Sequence, residues 1–248
     1  MTADFAIVPA GDAVLLVEFD ARLDAAINAR VVWMAEEVRR SRTAGVLDVV
    51  PAFHSLAVYF DPLRTETSRL TTLLKVAASA SRDATIVPAT PRQVPVCYGG
   101  IFGPDLEVIA ERTALTVDEI ITIHVAPVYR VFMVGFTPGF AYMGPVDPRI
   151  AVPRRPTPRV RVPVGSVGIA GSQTGIYPSE TPGGWMLVGR TPLRLFQPTR
   201  PEPFLLKAGD AVQFVQISAD TYERLTSEGR REASEPWEPW EPWEPWEP

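Results

Sequence analysis

Hydrophobic positions at the start of the chain follow strand spacing and then helix spacing. Apolar runs at 5–9 and 13–19 flank a turn, Ala10-Gly11-Asp12, and predict a β-hairpin. The next apolar side chains recur every three or four residues, at Leu23, Ile27, Val31, Met34 and Val38. That spacing predicts a helix with Asp20 as its N-cap and Gly45 as its stop.

Two more strands and a second helix follow. Val46–Val50 and Ser55–Phe60 are rich in strand-forming residues and predict adjacent strands. Asp61-Pro62 predicts a helix start, because a carboxylate caps helices well and proline suits the first helical position. The predicted inner face of that helix consists of Leu63, Leu70, Leu74 and Ala77. The order ββαββα over residues 1–84 predicts an α+β domain, a small sheet with two helices on one side.

The chain changes character at the polar, proline-bearing segment 85–93, which we interpret as a linker. The patterns after it predict a strand at Val94–Tyr98, helices at Asp105–Arg112 and Thr116–His124, and strands at Val128–Val134, Phe204–Leu206 and Val212–Ile217. The spacing of a threonine and a glutamate at the start of the second helix is that of a capping box.

A glycine- and proline-rich stretch, 135–198, dominates this second domain. It holds ten of the chain's 17 glycines, and its prolines exclude long helices. Short β-rich runs lie within it, at Val160–Val164, Val167–Ala170 and Trp185–Val188. We therefore predict a compact β-barrel or sandwich over 94–225. The remainder, 226–248, contains Glu-Pro-Trp four times and is predicted to be a low-complexity tail without a catalytic role.

Charge separates the same stretch from the rest of the chain. The formal net charge of the protein is −5, whereas 135–198 carries seven arginines against two acids, or +5. Such a basic island indicates an anionic ligand or a partner surface, although strand arginines also cover barrel exteriors with their aliphatic stems. The overall acidity and only two lysines argue against nucleic acid as a partner.

Several classes of protein are excluded or disfavoured by composition. No apolar run is long enough for a membrane span, and the N-terminus lacks the basic region of a signal peptide. A single cysteine, Cys97, fits a reducing compartment, so we expect a cytoplasmic protein. Two histidines and one cysteine do not make a usual zinc site, so no metal is predicted. The glycine-rich loops lack the lysine of a P-loop and the spacing of a nucleophile elbow.

What remains is an inventory typical of a concave binding site. Neutral donors and acceptors are available at Ser166, Ser172, Gln173, Thr174, Tyr177 and Thr191. Anion-binding guanidinium groups are available at Arg154, Arg155, Arg159 and Arg190. Apolar walls are available at Phe136, Phe140, Tyr142 and Trp185. His124 is either a structural residue or the one group of the site that titrates near neutral pH. A Cys97–His124 catalytic pair is the less favoured interpretation, since a cysteine that ends an apolar strand is typical of a core.

Three long motifs in this region carry a family resemblance. They are GFTPGFAYMG from Gly135, TPRVRVPVGSVGIAGSQTGIYP from Thr157 and TPGGWMLVGRTPLRLFQP from Thr181. In this order they resemble the allophanate hydrolase subunit 1 family, whose members include KipI and PxpB, the B subunit of bacterial 5-oxoprolinase. The resemblance implies an N-terminal α+β domain and a cyclophilin-like β-barrel.

The resemblance also implies an activity and partners. We expect the B subunit of an ATP-dependent 5-oxoprolinase, which opens the lactam of 5-oxoproline to L-glutamate. The expected partners are the A and C subunits, of which the C subunit is of the allophanate hydrolase subunit 2 type. ATP is expected in the complex, and the chain alone is expected to hold half a site and to be inactive. Transferred to this sequence, the expected catalytic residues are His124 and Arg190. The expected substrate-binding residues are Arg154, Arg155, Gln173, Tyr177, Phe140 and Tyr142.

Two alternatives stay open at this stage. The chain could be a component of a urea- or allophanate-type amide hydrolase or carboxylase, or a KipI-like inhibitor of a sensor histidine kinase. The nature of its partner would discriminate among the three.

Overall fold

The computed structural model describes residues 4–84 and 90–232. The first domain contains β1 (Ala6–Pro9), β2 (Val14–Glu18), α1 (Ala25–Ser41), β3 (Val46–Pro51), β4 (Ser55–Phe60) and α2 (Thr67–Ala80). The strands form an antiparallel sheet in the order β1-β2-β4-β3. Alternate strand residues such as Val17, Leu56 and Val58 pack with helix residues into one core. The predicted α+β arrangement is therefore confirmed.

Two helix starts differ from the prediction. Asp24, and not Asp20, caps α1, since its carboxylate accepts hydrogen bonds from two backbone N–H groups of the first turn. Asp61 accepts a hydrogen bond from the N–H of Leu63 in a local turn, and α2 begins only at Thr67. Leu63 is 95% exposed and does not belong to the inner face of that helix. An aspartate satisfies a turn as readily as a helix end, so its presence did not locate the boundary.

The second domain is a barrel with helices at its ends. Its elements are β5 (Arg92–Tyr98), α3 (Leu106–Thr113), α4 (Val117–Val125), β6 (Tyr129–Val134), β7 (Ala141–Gly144), β8 (Arg159–Val162), β9 (Ser166–Ala170), β10 (Gln173–Ile176), β11 (Thr181–Gly183), β12 (Met186–Arg190), β13 (Ala211–Gln216) and α5 (Ala219–Glu232). Seven strands close in the order β10-β7-β6-β13-β5-β12-β9, and β8 pairs with β11 in a separate ribbon. The expected barrel is thus confirmed.

The barrel interior is filled by aliphatic and aromatic side chains, as closure of a small barrel requires. Val96, Val131, Ile169 and Val188 have no exposed surface. The capping box predicted at the start of α4 is present: the Thr116 hydroxyl accepts a hydrogen bond from the N–H of Glu119, and the Glu119 carboxylate accepts one from the N–H of Thr116. Within the described residues, every helix is too short or too polar to cross a membrane.

The C-terminal part of the barrel domain departs from the prediction in two places. Phe204–Leu206 is not a strand and contributes a single bridge, between Phe204 and Phe196. Helix α5 was not predicted, because its sequence is mostly polar and lacks a wide apolar stripe. It extends past residue 226, where the predicted tail begins, whereas the Glu-Pro-Trp repeats lie outside the described residues. The predicted domain limits stay predictions.

One buried asparagine joins the two domains. The side-chain amide of Asn28, on α1, donates to the carbonyl oxygens of Ala52 at 3.1 Å and Phe132 at 2.8 Å. Its amide oxygen accepts from Nε of Arg130 at 2.7 Å. Because Phe132 and Arg130 belong to β6, α1 is fixed directly to the barrel wall. This contact brings the loop after β3 to the outer face of β7.

Candidate functional site

Aromatic side chains cover the outer face of the barrel beside β7, β10 and β12. The ring centroid of Phe140 lies 4.6 Å from that of Tyr142 and 5.0 Å from that of Tyr177. Trp185 packs edge-on to Phe140 at 5.4 Å. Such tilted and edge-to-face pairs are favourable arrangements for aromatic rings. We call these four residues the aromatic cluster; all are buried except Tyr142, which is partly exposed.

Glycines at two positions leave room for the aromatic cluster. A Cβ atom on Gly175, in β10, would lie 3.0 Å from Cζ3 of Trp185 and 3.1 Å from Cε1 of Phe140. A Cβ atom on Gly183, in β11, would lie 2.5 Å from the hydroxyl oxygen of Tyr177. These distances are too short for any larger residue without movement of the rings. The glycine spacing of the second and third motifs therefore serves the packing of the cluster as well as turns.

Two of the predicted substrate-binding residues, Arg154 and Gln173, lie at the edge of the aromatic cluster. Burial raises the pKa of Tyr142 and of Tyr177, and the positive charge of the nearby Arg154 partly offsets both shifts. Gln173 is half-buried and lies two residues before Gly175, the cross-strand partner of Tyr142, so it shares the outer face of β10. The structure therefore brings Arg154 and Gln173 close to the exposed side of Tyr142.

Two phenylalanines, Phe136 and Phe53, lie at the same edge of the aromatic cluster as Arg154 and Gln173. We call these four residues the rim. Phe136 is 64% exposed, has a φ of +68°, and contacts the edge of Phe140 at a centroid distance of 5.8 Å. A left-handed backbone is costly for an aromatic residue, and such strain is concentrated at functional sites. Phe53 comes from the first domain and lies 5.7 Å from Tyr142. The rim is thus built from both domains.

Arg155 does not reach this face, and its expected role as a substrate-binding residue is not supported by its contacts. Its Nη1 donates to Asp105 at 2.9 Å, and Arg159 binds the same carboxylate through two nitrogens at 2.8 and 2.7 Å. The backbone N–H of Leu187 donates to Asp105 as well, at 2.7 Å. The Asp105 side chain is only 2% exposed. We call Asp105, Arg155 and Arg159 the Asp105 cluster; it ties the start of α3 to β8 and β12.

Arg190 lies at the opposite end of β12 from Trp185. Its Nη2 donates to the carbonyl oxygen of Ile101 at 3.4 Å, and its guanidinium carbon lies 5.8 Å from the ring centroid of Phe102. The expected catalytic arginine is therefore separated from the aromatic cluster by the length of a strand. Arg190 makes no ion pair with an acidic residue in the part of the chain that the structure describes.

His124 is fully buried, and one of its two side-chain partners, Thr174, is among the predicted polar residues. Tyr98 donates its hydroxyl to Nδ1 at 2.8 Å, and Nε2 lies 3.0 Å from the Thr174 hydroxyl. The Thr174 hydroxyl donates its proton to the carbonyl oxygen of Gly168, so it accepts a hydrogen bond from Nε2 of His124. The neutral ring therefore carries its proton on Nε2, and Nδ1 is the acceptor. Burial lowers the pKa of His124 to about 3, so the ring is neutral at pH 7. The buried position and the low pKa do not favour the expected role as proton carrier, which stays a prediction.

The sequence of this chain matches a known protein family. Residues 5–206 match the family model for the carboxyltransferase domain, subdomain C and D. The chain belongs to this family. It is 40% identical over 238 residues to the B subunit of 5-oxoprolinase from Bacillus subtilis (strain 168), with 92% of this chain and 99% of that protein covered.

Two solved structures have a similar architecture. The crystal structure of TTHA0988 has a TM-score of 0.74 and 37% identity, covering 83% of this chain and 40% of that one. This chain therefore spans less than half of that molecule. The urea amidolyase of K. lactis gives a TM-score of 0.74 at 22% identity, covering 90% of this chain and 15% of that chain. At that identity the likeness concerns the fold alone.

Sequence reasoning missed the positions of Phe53, beside the aromatic cluster, and of Asp105, at the centre of the Asp105 cluster. Phe53 follows a strand of the first domain, and its arrival beside Tyr142 depends on how the domains pack. Asp105 was interpreted as part of a helix, yet its side chain makes no capping hydrogen bond and neutralises two arginines instead. The Gly-Pro before Asp105 was the only local signal that its backbone was special. No metal-binding group of histidine, cysteine or acidic residues occurs within the described ranges.

Proposed function

We propose that this chain is the B subunit of an ATP-dependent 5-oxoprolinase and acts in a multi-subunit complex. One observation carries the proposal: 40% identity over nearly the whole length of both this chain and a relative named as the B subunit of 5-oxoprolinase. We further propose that the partners are the A and C subunits, as the sequence resemblance implies. The reaction would convert 5-oxoproline, ATP and two molecules of water to L-glutamate, ADP and phosphate.

The aromatic cluster and its rim are the proposed substrate-contacting surface. 5-Oxoproline has a small apolar ring, a lactam amide and a carboxylate. The exposed ring of Tyr142 supplies an apolar floor, and Phe140 and Tyr177 hold that floor in place from beneath. Arg154 supplies the positive charge that a carboxylate needs, and Gln173 supplies both a donor and an acceptor for the amide. We propose that this open surface is half of a site, which a second chain completes.

The residues of this chain could bind only part of an ATP molecule. ATP supplies the phosphoryl group that activates the lactam carbonyl, and an arginine without an acidic partner suits a phosphate or carboxylate oxygen. Arg190 is such a residue. The chain has no P-loop lysine, and the described residues hold no group of carboxylates fit for a metal ion. We therefore propose that the nucleotide is held mainly by another subunit.

The alternatives have weaker support. The likeness to urea amidolyase at 22% identity concerns the fold and does not favour a urea-type reaction. No contact in the described residues specifically favours a kinase-inhibitor surface over an enzyme subunit. The 5-oxoprolinase interpretation is therefore the one we carry forward.

The experiment is reconstitution. The chain is purified with its A- and C-type partners, and ATP hydrolysis is measured with and without 5-oxoproline. We expect stimulation by 5-oxoproline only when all three chains are present. Arg154→Gln should raise the KM for 5-oxoproline about tenfold or more, since a hydrogen bond to a charged group is lost. Arg161→Gln is the matched control, because Arg161 is 79% exposed in its side chain and has only a long contact, 3.6 Å, to Glu180. No stimulation with three folded subunits would refute the proposal.

A further inference from the structure

Two buried donors on neighbouring strands have no acceptor in the described part of the protein. Ser166 has no exposed surface, and its hydroxyl oxygen has no hydrogen-bond partner there. Nε of Arg190 is also buried and without a partner. Buried polar groups are nearly always hydrogen-bonded, because an unmade bond costs about 1–3 kcal/mol. Two such groups side by side therefore indicate a partner from outside the chain.

Ser166 and Arg190 are direct partners in the β9–β12 ladder. Side chains directly opposite each other in an antiparallel pair have Cβ atoms about 5 Å apart, so both donors serve one small volume. Val167, next to Ser166, belongs to the internal core, which directs the Ser166 side chain to the outside of the barrel. The segment with Ile101 and Phe102 lies over Arg190 there.

The chemistry of the pair selects the ligand. A guanidinium Nε–H and a hydroxyl are both donors, and the arginine adds a full positive charge that no carboxylate of the described chain neutralises within 4.0 Å. The Nε edge of an arginine also presents two parallel N–H groups to a planar or tetrahedral anion. We infer that Arg190 and Ser166 form a binding site for an anionic oxygen, either of a carboxylate or of a phosphate.

The site is built differently from the Asp105 cluster. There, both arginines donate to a carboxylate that lies in the same chain. At Arg190 the one hydrogen bond given by the guanidinium is long, 3.4 Å, to a carbonyl at the exposed tip of a turn. The Arg190 guanidinium thus reaches an exposed turn, and an anion would enter beside Ile101.

The identity of the anion rests on the proposed function. In a 5-oxoprolinase complex, the carboxylate of 5-oxoproline and a phosphate of the nucleotide are the two available sources. Each of them would present an anionic oxygen to Nε–H of Arg190 and to the hydroxyl of Ser166. Binding measurements with each compound separate them.

The test uses the full chain and two kinds of measurement. Affinities for inorganic phosphate and for 5-oxoproline are measured by titration calorimetry, and stability is measured by urea denaturation. Ser166→Ala should weaken binding of one of the two probes about tenfold or more, while stability stays equal or rises, because an unpaired buried hydroxyl is removed. Arg190→Lys should weaken the same probe, since an ammonium lacks the fork. Ser179→Ala is the matched control at an exposed serine and should change neither measurement.

Each outcome decides the inference. Loss of phosphate affinity assigns a phosphate site, and loss of 5-oxoproline affinity assigns a carboxylate site. Unchanged affinities in Ser166→Ala, or loss of stability in that variant without loss of affinity, would overturn the inference. Absence of binding of either probe to the unaltered chain at 10 mM, roughly the weakest affinity of interest, would overturn it as well. Turnover by the reconstituted complex without anion binding here would leave the proposed function standing, whereas anion binding without turnover would leave this site and remove that function.

Discussion

The Asp105 cluster and the Arg190–Ser166 pair place arginines on the same barrel in opposite states. In the first, two arginines and a backbone N–H occupy all four hydrogen bonds of one buried carboxylate. In the second, a buried Nε–H and a buried hydroxyl have no acceptor within the described chain. A basic island in the sequence therefore contains two kinds of arginine. Arg155 and Arg159 are paired with a carboxylate of the same chain, whereas Arg190 remains available to a ligand.

The two groups of arginines respond differently to the loss of a partner. A buried ion pair is costly to break from one side, because the remaining charge stays desolvated. Removing an unpaired donor, by contrast, relieves a cost. The same type of substitution should therefore have opposite effects on stability in the two places, and the predictions below use that contrast.

The largest expected effect is at the Asp105 cluster. Asp105→Ala leaves two arginine side chains without their carboxylate and frees the N–H of Leu187. We expect a loss of about 3–5 kcal/mol in the free energy of unfolding, measured by urea denaturation. A loss below about 1 kcal/mol would show that the cluster is not a structural element.

The next effect concerns His124 and pH. Its folded-state pKa, about 3, is lower than the unfolded value of 6.5, so the unfolded chain takes up a proton first as the pH falls. The stabilisation is complete above pH 6.5 and is lost as the pH falls towards 3. The free energy of unfolding should therefore fall by about 2.5 kcal/mol between pH 7 and pH 4.5 from this residue alone.

The control for this pH prediction is His124→Gln, which has no titrating group. The stability difference between it and the unaltered chain should shrink as the pH falls. Parallel curves would mean that His124 is not kept neutral by burial, and would reopen a role in proton transfer.

A moderate effect is expected under the aromatic cluster. Gly175→Ala places a methyl group about 3 Å from Trp185 and Phe140. Overpacking of this kind costs about 1–3 kcal/mol, and the displaced rings should shift the tryptophan fluorescence. Gly171→Ala is a useful comparison, since a Cβ there meets no atom within 4 Å and its φ of +58° reports backbone strain alone. Equal losses in both variants would contradict the steric explanation.

The smallest effect on stability is expected at the rim. Arg154 is exposed, so Arg154→Gln should change the free energy of unfolding by less than about 0.5 kcal/mol. Its effect should appear only in the reconstituted complex, as a higher KM for 5-oxoproline with little change in kcat. A loss of stability in the Arg154→Gln variant would show that Arg154 has a structural role instead of a binding role.

Local signals predicted the elements better than the site. The capping box at Thr116 and Glu119 needs only neighbouring residues, so the start of α4 could be predicted from sequence. The choice between Asp20 and Asp24 as a cap depends on where α1 packs, and no local rule separates two acids four residues apart. Helix α5 has few apolar residues, so its sequence carries only a weak signal of a helix.

The surroundings of the expected site residues depend on long-range contacts. Arg155 is bound to Asp105, fifty residues away in sequence, and His124 is enclosed only when the barrel closes around it. Phe140 and Tyr142 are two residues apart, so an extended chain places them on one face, whereas the packing of Tyr177 and Trp185 against Phe140 depends on the fold of the barrel. Whether they bind substrate stays a prediction.

The most direct test of the two kinds of arginine is a matched pair of variants, Arg159→Gln and Arg190→Gln, each measured for urea stability and for 5-oxoproline-dependent ATP hydrolysis in the complex. Arg159→Gln should lose stability and, at a temperature where it is folded, keep its turnover. Arg190→Gln should keep its stability and lose turnover. The same pattern of loss in both variants would contradict the division on which this account rests.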